Sequence, residues 1–131
     1  MSFLFGVCTA SHQNEGYNTN NNWYDWEIKN NLELSDIACN SWNNYENDIK
    51  NIVNLKCDSY RFSIEWSRII PMENSIDFDA INKYKNIINY CINNNITPII
   101  TLHHFTRPIW FDNKYEGLHS KFFLEKFTEY I

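Results

Sequence analysis

An α/β fold with strands paired in parallel is predicted by three observations. Short β-branched or aromatic runs alternate along the chain with longer segments whose apolar residues recur every three or four positions. The connections between successive strands are long enough for helical crossovers, which parallel pairing needs. The run Ile99-Ile100-Thr101-Leu102 is apolar without alternation, as expected of a strand covered on both faces.

Residues 3–8 form a short apolar run with one glycine and predict a buried first strand, opening into a loop over 9–40. That loop carries Trp23, Tyr24 and Trp26 among asparagines and acids, a composition suited to the wall of a cavity for a flat, hydroxylated ligand. Over 42–56, Trp42, Tyr45, Ile49, Ile52 and Val53 fall on one helical stripe. A buried strand follows at 59–64, and its carboxyl end leads into Glu65 and Trp66 before the chain turns at Pro71. Within it, Arg61 stands between Tyr60 and Phe62, so it either meets a carboxylate such as Glu65 or Glu15 or faces a polar cavity.

A second helix is predicted over 78–94, with Ile81, Tyr84, Ile87, Ile88, Cys91 and Ile92 as its stripe. Asp77 or Asp79 supplies an acidic start, and Asn95 suits a left-handed stop. The strand at 99–102 ends in His103-His104, and a last amphipathic segment over 120–131 places Phe123, Phe127 and Ile131 at steps of four. Phe123 and Phe127 read as core, and Trp23, Trp26 and Trp110 fit packing better than they fit a platform for a ligand.

The 131 residues, 44% hydrophobic and 17% aromatic, are enough for one domain with a real core. A formal net charge of -5 without a basic cluster argues against nucleic acid. Neither a signal peptide nor a run approaching the roughly 20 apolar residues of a membrane span is present, so a cytoplasmic location is expected. Cys8, Cys39, Cys57 and Cys91 lack ligand spacing, which disfavours a metal and predicts buried, reduced thiols. The asparagine clusters read as composition and turns, not as function.

Strand, helix, strand, helix, strand, helix is the grammar of an α/β sheet or barrel. In a (β/α)8 barrel the functional groups lie just past the carboxyl ends of the strands. Those positions here hold Gln13 and Glu15, Glu65 and Trp66, and His103 and His104. Each has a structural alternative: Gln13 as a loop cap, Glu65 as a salt-bridge partner, His104 as a hydrogen-bonded core histidine. Only one of the two histidines can face the barrel interior, because strand neighbours point to opposite sides.

Three motifs then stand in order at the element ends. The first is Phe5-Gly6-Val7-Cys8-Thr9-Ala10-Ser11-His12-Gln13-Asn14-Glu15-Gly16, the second the strand and its continuation at 59–71, the third Thr101-Leu102-His103-His104-Phe105-Thr106-Arg107-Pro108-Ile109-Trp110. Together they resemble glycoside hydrolase family 1, the β-glucosidase family, over essentially the whole chain. The resemblance implies a (β/α)8 TIM barrel and a retaining β-glycosidase without a cofactor. It further implies that Gln13 and His104 hydrogen-bond sugar hydroxyls in the innermost subsite, with Arg61 near the catalytic nucleophile as support. The residue types suit those roles: an amide both donates and accepts, and a neutral imidazole donates from one nitrogen while the other orients it.

Retention needs two carboxyl groups roughly 5 Å apart. The resemblance puts both on glutamates of the fourth and seventh strands, and residues 1–131 contain neither an Asn-Glu-Pro run nor a Glu-Asn-Gly run after an apolar strand. A complete barrel takes ~250 residues. The expectation is therefore the amino-terminal part of one barrel domain, three of eight units, inactive and poorly soluble alone. Its expected partners are a small β-glycoside and the remainder of the barrel, with no nucleic acid or membrane. Alternatives are a non-catalytic sugar-binding or barrel-completing chain, and part of a 6-phospho-β-glycosidase; glucoside and galactoside are not distinguished. Three features depart from the common pattern: Lys56 where the family usually has glycine, Thr106 where many members have aspartate, and the loop at 20–27.

Overall fold

The computed structural model describes residues 3–131. Strands β1 (Gly6–Cys8), β2 (Ser59–Ser63) and β3 (Thr97–Thr101) form a parallel sheet in the order β1-β2-β3. Its register puts Cys8, Arg61 and Ile99 side by side in one row, and Val7, Tyr60 and Pro98 in the next. Side chains alternate between faces, so Arg61 points away from the face that takes Tyr60 and Phe62. Those two rings are buried in the core, whereas Arg61 is half-buried.

Of the three strands, only β2 is buried as expected. Gly6 and Cys8 of β1 are exposed, Phe5 just before it is 63% exposed, and in β3 Ile100 packs on the core while Ile99 is exposed. The reason is topological: β1 and β3 are paired on one side only, and the face carrying Arg61 and Ile99 has no covering layer among the described residues. The cysteine expectation is corrected in the same way, since Cys57 and Cys91 are buried but Cys8 and Cys39 are exposed. Burial pushes the Cys91 thiol up to about 11.

Between β1 and β2 lie three helices: α1 (Ser11–Asn14), α2 (Asn22–Lys29) and α3 (Ser41–Asn54). Helices α1 and α2 occupy part of the segment 9–40 that is expected from the sequence to be loop. Asn21 is what starts α2, its side chain accepting from the amides of Trp23 and Tyr24 at 3.0 and 2.9 Å. In an asparagine-rich run that cap is invisible against its neighbours. The next two are α4 (Trp66–Ile69), a single turn, and α5 (Phe78–Asn93), capped by Asp77 through the Ala80 amide. Beyond β3 come α6 (Ile109–Tyr115), a 3-10 turn at Gly117–His119 and α7 (Phe123–Tyr130).

Helices α3 and α5 end alike. Lys56 and Asn95 take left-handed φ of 59° and 60°. Paired bonds then close each end, Lys56 N to Val53 O with Cys57 N to Ile52 O, and Asn95 N to Ile92 O with Ile96 N to Cys91 O. The residue after each stop, Cys57 or Ile96, drops into the core and leads into the next strand.

The core fills the space between β2 and the helices. Trp66, 1% exposed, lies at the centre of an aromatic cluster with Trp110, Phe111, Phe123, Phe127 and Tyr130 at centroid distances of 5.0 to 6.4 Å. Trp66 is thus a core residue and not a site residue. Tyr130, not Ile131, anchors α7: its hydroxyl lies 3.0 Å from Ile64 O and 2.9 Å from Leu102 O, joining the ends of β2 and β3. No described helix is long and apolar enough to cross a membrane.

Candidate functional site

The chain's polar side chains converge just past the carboxyl ends of the three strands. Arg61 makes no ion pair with Glu65 or Glu15, so the structural salt bridge considered for it is not formed. Its Nη1 donates to Thr9 O at 3.1 Å, and its Nη2 lies 3.5 Å from His104 Nδ1. A guanidinium can only donate, so this contact, at the outer limit of hydrogen-bond distance, suits the tautomer with Nδ1 as acceptor and the proton on Nε2. His104 thereby offers an N–H donor from a half-buried ring.

Gln13 lies on α1, exposed, and among the described residues its side chain makes no hydrogen bond. It is hydrogen-bonded to neither Arg61 nor His104, and its amide is unengaged. His103 turns the other way, as the alternation of strand neighbours requires. Its ring meets Phe127 edge-on at 6.0 Å, its Nε2 is buried without a partner, and burial with the nearby Arg107 charge lowers its pKa.

Aromatic rings flank His104. Phe105 packs on it at 5.3 Å and on Trp23 at 5.3 Å, and Trp23 in turn meets Trp26 at 5.0 Å. Phe105 takes φ 53°, a strained setting for a bulky residue. The two tryptophans are 40% and 46% exposed, so the segment read as an aromatic wall is an exposed helix surface beside the histidine. Trp110 packs instead, with Nε1 donating to Ile70 O at 2.8 Å. His12 is 3% exposed and engaged at both nitrogens, by Asn21 at 2.9 Å and Ser35 at 3.2 Å.

Both strand-end carboxylates lie below this surface. Glu15 accepts from Arg68 Nε at 2.7 Å and from the Tyr84 hydroxyl at 2.7 Å, while Tyr84 accepts from the Glu65 amide at 2.9 Å. Burial pushes the Glu15 carboxyl up to about 7 against those two partners. Glu65 is 1% exposed and accepts from the hydroxyls of Ser11, Ser67 and Thr106 at 2.7, 2.9 and 2.7 Å. Its reading as a salt-bridge partner is corrected, because its donors are neutral hydroxyls. Ser11, Ser67, Tyr84 and Thr106 were not singled out as carboxylate partners by sequence reasoning, since a hydroxyl side chain carries no local signal of which carboxylate it will meet.

The arrangement offers donors and acceptors for a hydroxylated ligand: the Gln13 amide, the His104 Nε2–H and the Arg61 charge. It presents no pair of exposed carboxyl groups for acid/base work. Among the described residues no group of three His, Cys, Asp or Glu side chains is placed to hold a metal ion.

Comparison with known proteins adds to this geometry. Residues 1–131 match the model of glycosyl hydrolase family 1. The chain is 35% identical to a putative β-glucosidase of Arabidopsis thaliana, over 98% of this chain and 36% of that protein. Among solved structures, a β-glycosidase from Pyrococcus horikoshii is 44% identical with a TM-score of 0.77, covering 86% of this chain and 27% of the other. A rice β-glucosidase superposes with a TM-score of 0.90 at 28% identity, covering 98% and 29%. The chain therefore spans between about a quarter and about a third of the length of the relatives it matches.

Proposed function

Because this chain belongs to glycosyl hydrolase family 1, we propose that it supplies the sugar-holding strand ends of a retaining β-glycosidase, with Gln13 and His104 binding hydroxyls of the innermost sugar. The sheet β1-β2-β3 is part of that family's (β/α)8 barrel. The observation that carries the proposal is the contact of Arg61 Nη2 with His104 Nδ1 at 3.5 Å at the carboxyl ends of adjacent strands. It leaves His104 Nε2–H free to donate, beside a cation suited to stabilise a carboxylate nucleophile.

The two carboxyl groups of the reaction come from the rest of the barrel in this reading. The substrate is a small β-glycoside, and the other partner is the remaining strand-helix units, which pair with the open edges of β1 and β3. The test is assembly: residues 1–131 combined with the carboxyl-terminal part of the Pyrococcus horikoshii β-glycosidase, beginning after the third strand. That relative's own amino-terminal part serves as positive control. Hydrolysis of p-nitrophenyl β-glucoside, with the β-anomer of glucose as first product by proton NMR, is expected. Activity of the control without activity of residues 1–131 sinks the proposal, and a comparison with p-nitrophenyl β-glucoside 6-phosphate separates the phosphoglycosidase alternative.

A further inference from the structure

Gln13 and His104 belong to segments that meet in three places: the His12 and Phe105 rings pack edge-on at 6.0 Å, Arg61 spans Thr9 O and His104 Nδ1, and both segments hydrogen-bond one buried carboxylate. Ser11, two residues before Gln13, donates through Oγ to Glu65 Oε2 at 2.7 Å. Thr106, two residues after His104, donates through Oγ1 to that same oxygen at 2.7 Å. The other oxygen, Oε1, accepts from the Ser67 hydroxyl at 2.9 Å and the Ser67 amide at 3.4 Å. Glu65 is 1% exposed, and among the described residues no cation lies within ion-pair distance of it. A buried carboxylate held by neutral donors alone is costly to desolvate, and the short charge-assisted bonds offset that cost only when every donor is in place.

Each tie is rigid on the way to the sugar-facing side chain. The Ser11 amide donates to Ser63 Oγ at 2.7 Å, locking the start of α1 onto the end of β2, and Glu15 N donates to Ser11 O at 2.8 Å to close the turn that contains Gln13. Thr106 N donates to His104 O at 2.8 Å, so the backbone of His104 and the threonine that grips Glu65 form one tight turn. From this geometry we infer that Glu65 is a positioning residue: its Oε2 fixes the spacing between the segments that carry Gln13 and His104. The inference rests on the reading of those two residues as sugar-binding groups.

The bridge also constrains residue 106. An aspartate there would press a second carboxylate against Glu65 Oε2, whereas a hydroxyl at 65 facing an aspartate at 106 restores one carboxylate and one donor. The charge can sit on either side of the bridge but not on both.

The test uses the assembled barrel described above, with specific histidine labelling to read the 15N signals of the His104 ring. Thr106→Val removes the donor at nearly constant shape and is expected to raise KM and to lower kcat/KM by about 10²-fold, since small misplacements of binding groups cost that much. It also shifts the His104 ring signals; Thr106→Ser returns the hydroxyl and recovers both. Thr106→Asp alone lowers kcat/KM, and the exchanged pair Glu65→Thr with Thr106→Asp recovers it to within about tenfold of the parent, a coupling that independent sites would not produce. Equal behaviour of the valine and serine variants, or an exchanged pair no better than the product of its single changes, overturns the inference. Should the parent barrel hydrolyse no glycoside, the functional reading fails, while the His104 signals of the valine and serine variants still judge the bridge.

Discussion

Arg68 donates through Nε to Glu15 Oε2 at 2.7 Å, linking α4, which follows β2, to the turn after β1. The guanidinium also stacks on Trp42 at 4.1 Å and donates to Gly16 O at 2.7 Å, so it holds three segments at once.

Despite that cation, the Glu15 proton is held up to about 7, first by burial, against Arg68 and the Tyr84 hydroxyl, with Glu65 adding like charge. The unfolded chain releases the same proton near 4.5. Between these values the folded state binds more protons, so stability contributed by this group falls as pH rises through the window and is level above it. The fall amounts to roughly 3 kcal/mol at most. Urea midpoints at about pH 5 and about pH 8 should show it, and Glu15→Gln should flatten the dependence. A variant with the parent's slope would exclude Glu15 as its source.

Lys56 stops α3 in a left-handed conformation that Asn95 supplies for α5. Lysine carries a Cβ penalty there that glycine lacks, so Lys56→Gly is expected to stabilise by about 1 kcal/mol. Asn95→Gly should gain less, because asparagine already tolerates this region. Thermal unfolding compares the two; a lower midpoint for Lys56→Gly would contradict the reading of the turn.

Arg61 spans Thr9 O and His104 Nδ1 with one planar fork. Lysine keeps the charge but not the fork, so Arg61→Lys should release the His104 tautomer and lower kcat/KM of the assembled barrel by about tenfold or more. Unchanged His104 ring signals would show that the contact does not set the tautomer.

Phe5, Ile99 and Leu102 are 63%, 45% and 41% exposed on or beside open strand edges. Residues 1–131 alone should self-associate as concentration rises, and Ile99→Lys should reduce it. Light scattering during gel filtration decides this; a monodisperse monomer of the parent chain at high concentration would contradict the open-edge account.

The parallel order, the two long helices and the Asn95 stop were legible in the sequence, and the acidic start of α5 was narrowed to Asp77 or Asp79, because periodicity and capping chemistry are local. Helix α2 was not, since its asparagine cap lies among other asparagines, and α1 and α4 are too short to show a period. The burial of the edge strands was overestimated, because an apolar run reports what a strand needs to cover and not what covers it. At the site, the family resemblance and the strand alternation together singled out Arg61 and His104, which the fold brings within 3.5 Å. Most partners of Glu65 and Glu15 escaped notice because hydrogen bonds between residues far apart in sequence, such as Ser11 to Glu65 and Arg68 to Glu15, leave no pattern in a single sequence.

If Gln13 and His104 hold the sugar, kcat/KM of the assembled barrel on p-nitrophenyl β-glucoside depends on both side chains. Gln13→Ala and His104→Ala should each lower kcat/KM by about 10²-fold, through lost bonds to sugar hydroxyls, while shifting folding stability by no more than roughly 1 kcal/mol. Variants with the parent's kcat/KM would contradict the account.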